Sequence, residues 1–116
     1  MFSAYVVVTL ITIVANLSAT AADFARARFV LANAAELGIS QSWVPLLGAL
    51  KAAGAAGLLL GLLGMRFIGV AAAIGLVLFF VGAVAVHVHT RVFHNIAAPG
   101  GFLALAVASL ALTIVQ

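Results

Sequence analysis

One apolar segment, residues Trp43–Leu63, sets the class of this protein, and it reads WVPLLGALKAAGAAGLLLGLL. Apart from Lys51, nothing after Trp43 in this segment is charged. An α-helix with about 1.5 Å rise per residue would be roughly 30 Å long here, enough to cross a bilayer. Trp43 and Pro45 suit its interfacial end, because an indole favours the headgroup level and proline is tolerated in a first turn. The segment therefore predicts a transmembrane helix that carries a lysine within the membrane.

The composition of the whole chain indicates the same class. Of its 116 residues, 67% are hydrophobic and 6% are charged, with a mean hydropathy of +1.40. A soluble domain of this size needs far more charge to cover its surface, so we expect an integral membrane protein. The absence of cysteine excludes disulfides, thiol redox catalysis and thiolate metal sites. The net charge of +3 comes from scattered basic residues, which indicates membrane orientation rather than nucleic-acid binding.

Four apolar segments predict four spans. The first, over 2–22, ends with a small-residue pattern like a signal cleavage site but lacks a basic n-region, so we expect a retained helix. The other predicted spans are 43–63, 67–90 and 99–115. Short loops make neighbouring helices antiparallel, which predicts an all-α, up-down four-helix bundle in one transmembrane domain, 1–116.

The segment between the first two spans predicts a short amphipathic helix at the membrane interface, ended by Gly38. Basic residues suggest the orientation of the bundle. Arg26, Arg28 and Arg91 lie in loops 23–42 and 91–98, whereas Arg66 lies on the side of the termini. The positive-inside rule then predicts that these two loops are cytoplasmic and the termini outside.

Glycines recur along one side of the second span, at Gly54, Gly57, Gly61 and Gly64. Small residues at such spacing let two helix backbones approach closely in a membrane. We interpret the four as a helix-packing seam rather than as a ligand site.

Polar residues from three spans converge on the loop side in this topology. The first span carries a polar stripe at spacings of three and four that includes Asn16 and Asp23. Asn16 should lie at the depth of Lys51 on the adjacent helix, and His87 about one turn inside the same face. We predict a Lys51–Asp23 ion pair, and a polar cluster of Asn16, Asp23, Lys51 and His87 around one cavity. The alternative is that the pair only fixes helix register.

The histidines do not predict a metal site. His87 and His89 would point nearly opposite ways on a helix, and Arg91 lies on the face that His87 shares with His94. No phosphate-binding, dinucleotide-binding or serine-hydrolase motif is present either.

Two strings carry a family resemblance. The second span contains Trp43-x-Pro45-x-x-Gly48-x-x-Lys51-x-x-Gly54, and the third ends in FVGA followed by His87, with Pro99 ahead of the last span. With these strings the chain resembles, over essentially its whole length, the DoxX-like family of small four-helix membrane proteins. The resemblance implies a bundle in the bacterial inner membrane with Lys51 and His87 as polar anchors.

The family's namesakes are subunits of a thiosulfate:quinone oxidoreductase, and other relatives are membrane anchors or resemble assembly factors. No residue pattern here matches a thiosulfate or electron-handling site, so no such activity is carried over. We expect an accessory or anchoring subunit, not an enzyme on its own, that has no intrinsic cofactor and binds a quinone-like or lipid-like molecule. The alternatives are a subunit of a membrane oxidoreductase acting on quinone, and a small-molecule transporter. Expected partners are membrane lipids, a membrane protein or further copies of the chain, and no nucleic acid.

Overall fold

A computed structural model describes residues 2–116. Within that range the chain forms five α-helices and one short 3-10 turn, with no strand. They are α1 (Phe2–Phe24), α2 (Arg28–Glu36), the turn Gln41–Trp43, α3 (Val44–Leu62), α4 (Arg66–His89) and α5 (Ala97–Ile114). Helices α1, α3, α4 and α5 are long and apolar enough to cross a membrane.

The four long helices pack as a closed ring. Helix α1 contacts α3 and α5, and α4 contacts the same two helices from the opposite side. The guanidinium of Arg66 donates to the backbone oxygen of Ile114 at 2.8 Å, so the start of α4 lies beside the end of α5. The expected all-α up-down bundle is confirmed.

Buried polar side chains lie inside the bundle beside an apolar core, and large apolar side chains cover its outside. The polar stripe of α1 is buried, including Thr12 and Asn16 with no exposed surface, whereas Val14 is 62% exposed. Hydroxyls of Thr12 and Ser109 lie 2.8 Å apart and join α1 to α5. An apolar exterior around an interior that holds buried polar groups suits hydrocarbon rather than water. The chain is a multi-pass membrane protein.

Helices α3 and α4 approach most closely near the turn that joins them. A Cβ atom added at Gly61 would lie 2.7 Å from the Cα atom of Gly69, and one at Gly57 would lie 2.5 Å from the Cβ of Ala72. Gly54 faces the side chain of Leu76 in the same contact.

Gly64 does not take part in the predicted helix-packing seam. Its φ angle is +112°, and an added Cβ would have no atom within 4 Å. Gly64 therefore serves the turn between α3 and α4, where a left-handed backbone favours glycine, rather than the helix contact.

The first helix runs further than the predicted 2–22 span. It continues through Asp23 to Phe24, because Asp23 is buried against α3 instead of lying in a loop. Helix α2 ends with the predicted glycine: Gly38 has a φ angle of +74°. The amides of Gly38 and Ile39 donate to the backbone oxygens of Ala35 and Ala34, the pattern of a Schellman C-cap.

Candidate functional site

A cavity of about 720 Å³ lies at the end of the bundle that α2 covers. We call it the α2 cavity; all five helices contribute to its wall. Most of the wall is apolar, and the polar side chains in it are Asp23, Asn33, Lys51, His87 and Asn95. Its volume is in the usual range for small-molecule sites, roughly 300–1,000 Å³. The α2 cavity is therefore the candidate site.

Lys51 and Asp23 form an ion pair in the cavity wall. The ammonium Nζ donates to Oδ2 of Asp23 at 2.9 Å, and the two side chains are 15% and 8% exposed. The ammonium also lies 5.6 Å from the centre of the Phe79 ring, within cation–π range. Each partner offsets the cost of placing the other in the membrane.

A close contact between α1 and α3 sets the geometry of this pair. The hydroxyl of Thr20 donates to the backbone oxygen of Gly48 at 3.0 Å. A Cβ on Gly48 would lie 2.9 Å from the Cβ of Asp23, so a larger residue would push α1 away. Because Gly48 lies one turn before Lys51, this glycine lets the lysine reach the carboxylate.

One ring nitrogen of His87 makes no hydrogen bond within its own helix. Its side chain is 3% exposed, and Nδ1 lies 2.8 Å from the backbone oxygen of Ala83. A carbonyl oxygen can only accept, so Nδ1 carries the proton in this hydrogen bond. Nε2 is buried and has no partner within residues 2–116. In the neutral ring Nε2 is then a hydrogen-bond acceptor.

An aromatic group forms another side of the cavity. The rings of Phe80 and Phe102 stack with centres 5.1 Å apart and an angle of 13°. Phe79 meets Phe80 edge-on, with centres 5.0 Å apart. These rings give the cavity an apolar wall beside the ion pair.

Helix α2 is held over the cavity by two polar contacts to the segment between α4 and α5. Nδ2 of Asn95 donates to Oδ1 of Asn33 at 2.7 Å. Nε2 of His94 lies 2.7 Å from Oε2 of Glu36, and both of these side chains are exposed. The asparagine pair also lines the cavity.

The structure brings together three of the four residues predicted to form a polar cluster. Asp23, Lys51 and His87 line the same cavity. Asn16 does not line it: its amide donates to the backbone oxygen of Thr12 at 2.9 Å, inside the closed part of the bundle. The physical reason is that Asn16 lies two turns from Asp23 along α1, where the helices leave no space.

Sequence reasoning did not identify Gly48, Asn33 or Asn95 as site residues. Gly48 carries a recognisable signal, since it is a small residue one turn from an intramembrane lysine. The asparagines lie 62 positions apart, and no sequence pattern links them. Within residues 2–116, no three His, Cys, Asp or Glu side chains come together as a metal site would require.

A sequence model of the DoxX-like family matches residues 7–109, which is most of the chain. No curated protein and no solved structure matches. The predicted family resemblance is confirmed.

Proposed function

We propose that this chain, which belongs to the DoxX-like family of membrane proteins, binds a lipophilic small molecule in the α2 cavity. In this proposal it acts as a non-catalytic accessory or anchoring subunit of a membrane assembly. Its proposed location is the bacterial inner membrane, with loops 23–42 and 91–98 in the cytoplasm.

One observation carries the proposal: part of the cavity wall consists of exposed apolar side chains within the membrane spans. Leu50 on α3 and Leu78 on α4 line the cavity and are 48% and 67% exposed. Phe29 on α2 lines it as well and is 71% exposed. In this proposal a molecule dissolved in the bilayer enters past these apolar side chains, and its polar head meets the ion pair and His87. This combination favours a lipophilic body with a polar head.

The interior beyond the cavity argues against the transporter alternative. Thr9, Thr12 and Asn16 continue the polar stripe of α1, and each is at most 1% exposed. The helices fill this part of the bundle, so a solute in the cavity has no continuous path to the other face in this conformation.

The side chains of the cavity also favour an accessory role over the quinone oxidoreductase alternative. The chain has no thiol, and the charges of Lys51 and Asp23 are engaged with each other. Electron transfer would need a redox group from a partner or a cofactor.

Mass spectrometry of solvent extracts from the purified protein tests the proposal. Gly82 lines the cavity, and a Cβ added there meets no atom within 4 Å, so Gly82→Leu adds a bulky side chain at the cavity wall without a clash at its Cβ. Gly75→Leu is the matched control: it lies on the same helix in equally open space and does not line the cavity.

We expect a stoichiometric lipophilic species in the wild type and in Gly75→Leu, and its loss from Gly82→Leu. Lys51→Met, analysed in parallel, reports whether the lysine holds that species. Wild-type extracts without such a species, or equal amounts in both leucine variants, would contradict the proposal.

A further inference from the structure

We infer that the ligand of the α2 cavity is an electrically neutral lipophile whose head carries a hydroxyl group. This inference rests on the proposed function and goes beyond it, because it names the chemical class of the ligand. It excludes fatty acids, anionic lipids and amines as the preferred occupants.

The first argument is the charge balance of the cavity. Apart from His87, the ionisable side chains among the described residues that line the cavity are Lys51 and Asp23, one basic and one acidic. Their contact distance of 2.9 Å means that the cation is already neutralised where it stands. A ligand carboxylate would have to approach Lys51 beside Asp23 and would be repelled at low dielectric. A ligand amine would be repelled by Lys51 for the same reason.

The second argument is the hydrogen-bonding state of His87. Its Nδ1–H donates to the backbone oxygen of Ala83, which leaves Nε2 as an acceptor without a partner in the described chain. A buried acceptor of this kind is stabilised by a donor. An ether, an ester or a ketone offers only acceptors and gives it nothing, whereas a hydroxyl can donate. Nε2 is covered in this structure, so binding of the hydroxyl there requires the cavity wall to move and expose it.

The third argument concerns the oxygen of the same hydroxyl. The ammonium of Lys51 has three N–H donors, and its hydrogen bond to Asp23 uses one of them. A hydroxyl oxygen can accept from another of these donors, and the hydroxyl proton is available to a histidine acceptor. A neutral alcohol or phenol therefore matches both polar groups, and its apolar body matches the phenylalanine wall.

Three probes with one alkyl chain test the inference: 1-hexadecanol, hexadecanoate and hexadecyl methyl ether. Each is titrated into delipidated wild-type protein in detergent, and the bound fraction is measured by native mass spectrometry. We expect 1-hexadecanol to bind about tenfold or more tightly than either of the other two. Hexadecanoate binding as tightly as the alcohol would overturn the charge argument. Equal binding of the ether and the alcohol would overturn the hydroxyl argument.

Two variants assign the effects to residues. Asp23→Asn removes the compensating charge, so the affinity for hexadecanoate should rise relative to the affinity for 1-hexadecanol. His87→Phe removes the acceptor, so the preference for alcohol over ether should fall to near one. Unchanged preferences in folded variants would contradict these assignments, and the wild-type comparison decides the inference even where a variant does not fold.

The same data separate this inference from the proposed function. If all three probes bind equally to the wild type and Gly82→Leu weakens all three, the cavity binds lipophiles and the inference about their head is wrong. If none of the three binds, the proposed function fails together with the inference.

Discussion

Nζ of Lys51 and Oδ2 of Asp23 lie 2.9 Å apart, although 28 positions separate the two residues in the chain. This contact joins α1 to α3 at the level where the α2 cavity begins. It explains how a lysine is accommodated inside a transmembrane segment, and it gives the cavity a polar end in which the two charges balance.

Removing one partner of this ion pair should strongly destabilise the protein, whereas removing the second partner as well should add little to the loss. Lys51→Met or Asp23→Asn alone leaves an uncompensated buried charge, so we expect each to lower the free energy of unfolding by about 3–5 kcal/mol. The double variant should lose much less than the sum of the two. Denaturant unfolding in detergent micelles measures all three, and additive losses would show that the pair is not coupled.

The glycines of α3 and α4 should differ in their tolerance of alanine. Gly61→Ala sets a Cβ 2.7 Å from the Cα of Gly69, where only backbone movement gives relief, so we expect a loss of about 1–3 kcal/mol. Gly54→Ala should also cost stability, because its Cβ would lie 2.5 Å from Cδ2 and 2.6 Å from Cγ of Leu76, a core side chain that is 2% exposed. Gly75→Ala is the control and should be neutral or stabilising by up to ~1 kcal/mol, since its Cβ meets nothing. The same unfolding assay ranks the three, and a tolerated Gly61→Ala would contradict the close backbone contact.

Asn16→Leu should leave ligand binding intact. Asn16 lies outside the cavity lining, and Oδ1 of its buried amide has no partner within residues 2–116. Replacing the amide by an apolar group of similar size removes that unpaired atom, so stability should be unchanged or higher. Mass spectrometry of solvent extracts, run in parallel with Gly82→Leu, measures the bound ligand. Loss of the ligand from Asn16→Leu would show that Asn16 belongs to the site.

The asparagine contact should hold α2 more firmly than the histidine–glutamate contact does. Asn33 and Asn95 are partly buried, whereas the side chains of Glu36 and His94 are 44% and 64% exposed. We expect Asn33→Ala to weaken the docking of α2 by about 0.5–1.5 kcal/mol, and Glu36→Gln by about 0–1 kcal/mol. Hydrogen exchange of the α2 amides reports the difference. Faster exchange in Glu36→Gln than in Asn33→Ala would reverse the assignment.

The proposed orientation can be read from single cysteines, because the natural chain has none. Ala35→Cys places a thiol on exposed α2, and Met65→Cys places one in the turn between α3 and α4 at the opposite end of the bundle. With a membrane-impermeant maleimide on intact cells, Met65→Cys should be labelled, and Ala35→Cys should be labelled only after the membrane is opened. The reverse pattern would invert the topology.

The four spans were predictable from the sequence because each depends on local composition. A run such as Trp43–Leu63 can enter hydrocarbon only as a helix, since a bilayer offers no partner for free backbone groups. Short loops then make neighbouring helices antiparallel. The same local logic placed Gly38 at the end of α2, where the left-handed backbone of the C-cap favours glycine.

The contents of the site depended on contacts between helices, which local patterns do not encode. Helix length and topology brought Asp23, Lys51 and His87 to one end of the bundle, but depth alone could not show that Asn16 is enclosed while His87 lines a cavity. That difference arises from packing: α1 and α3 close on Gly48, α3 and α4 close on Gly61 and Gly69, and space remains only where α2 covers the other end. The chain's composition determines that it crosses the membrane, and the distances between its helices determine where a cavity remains.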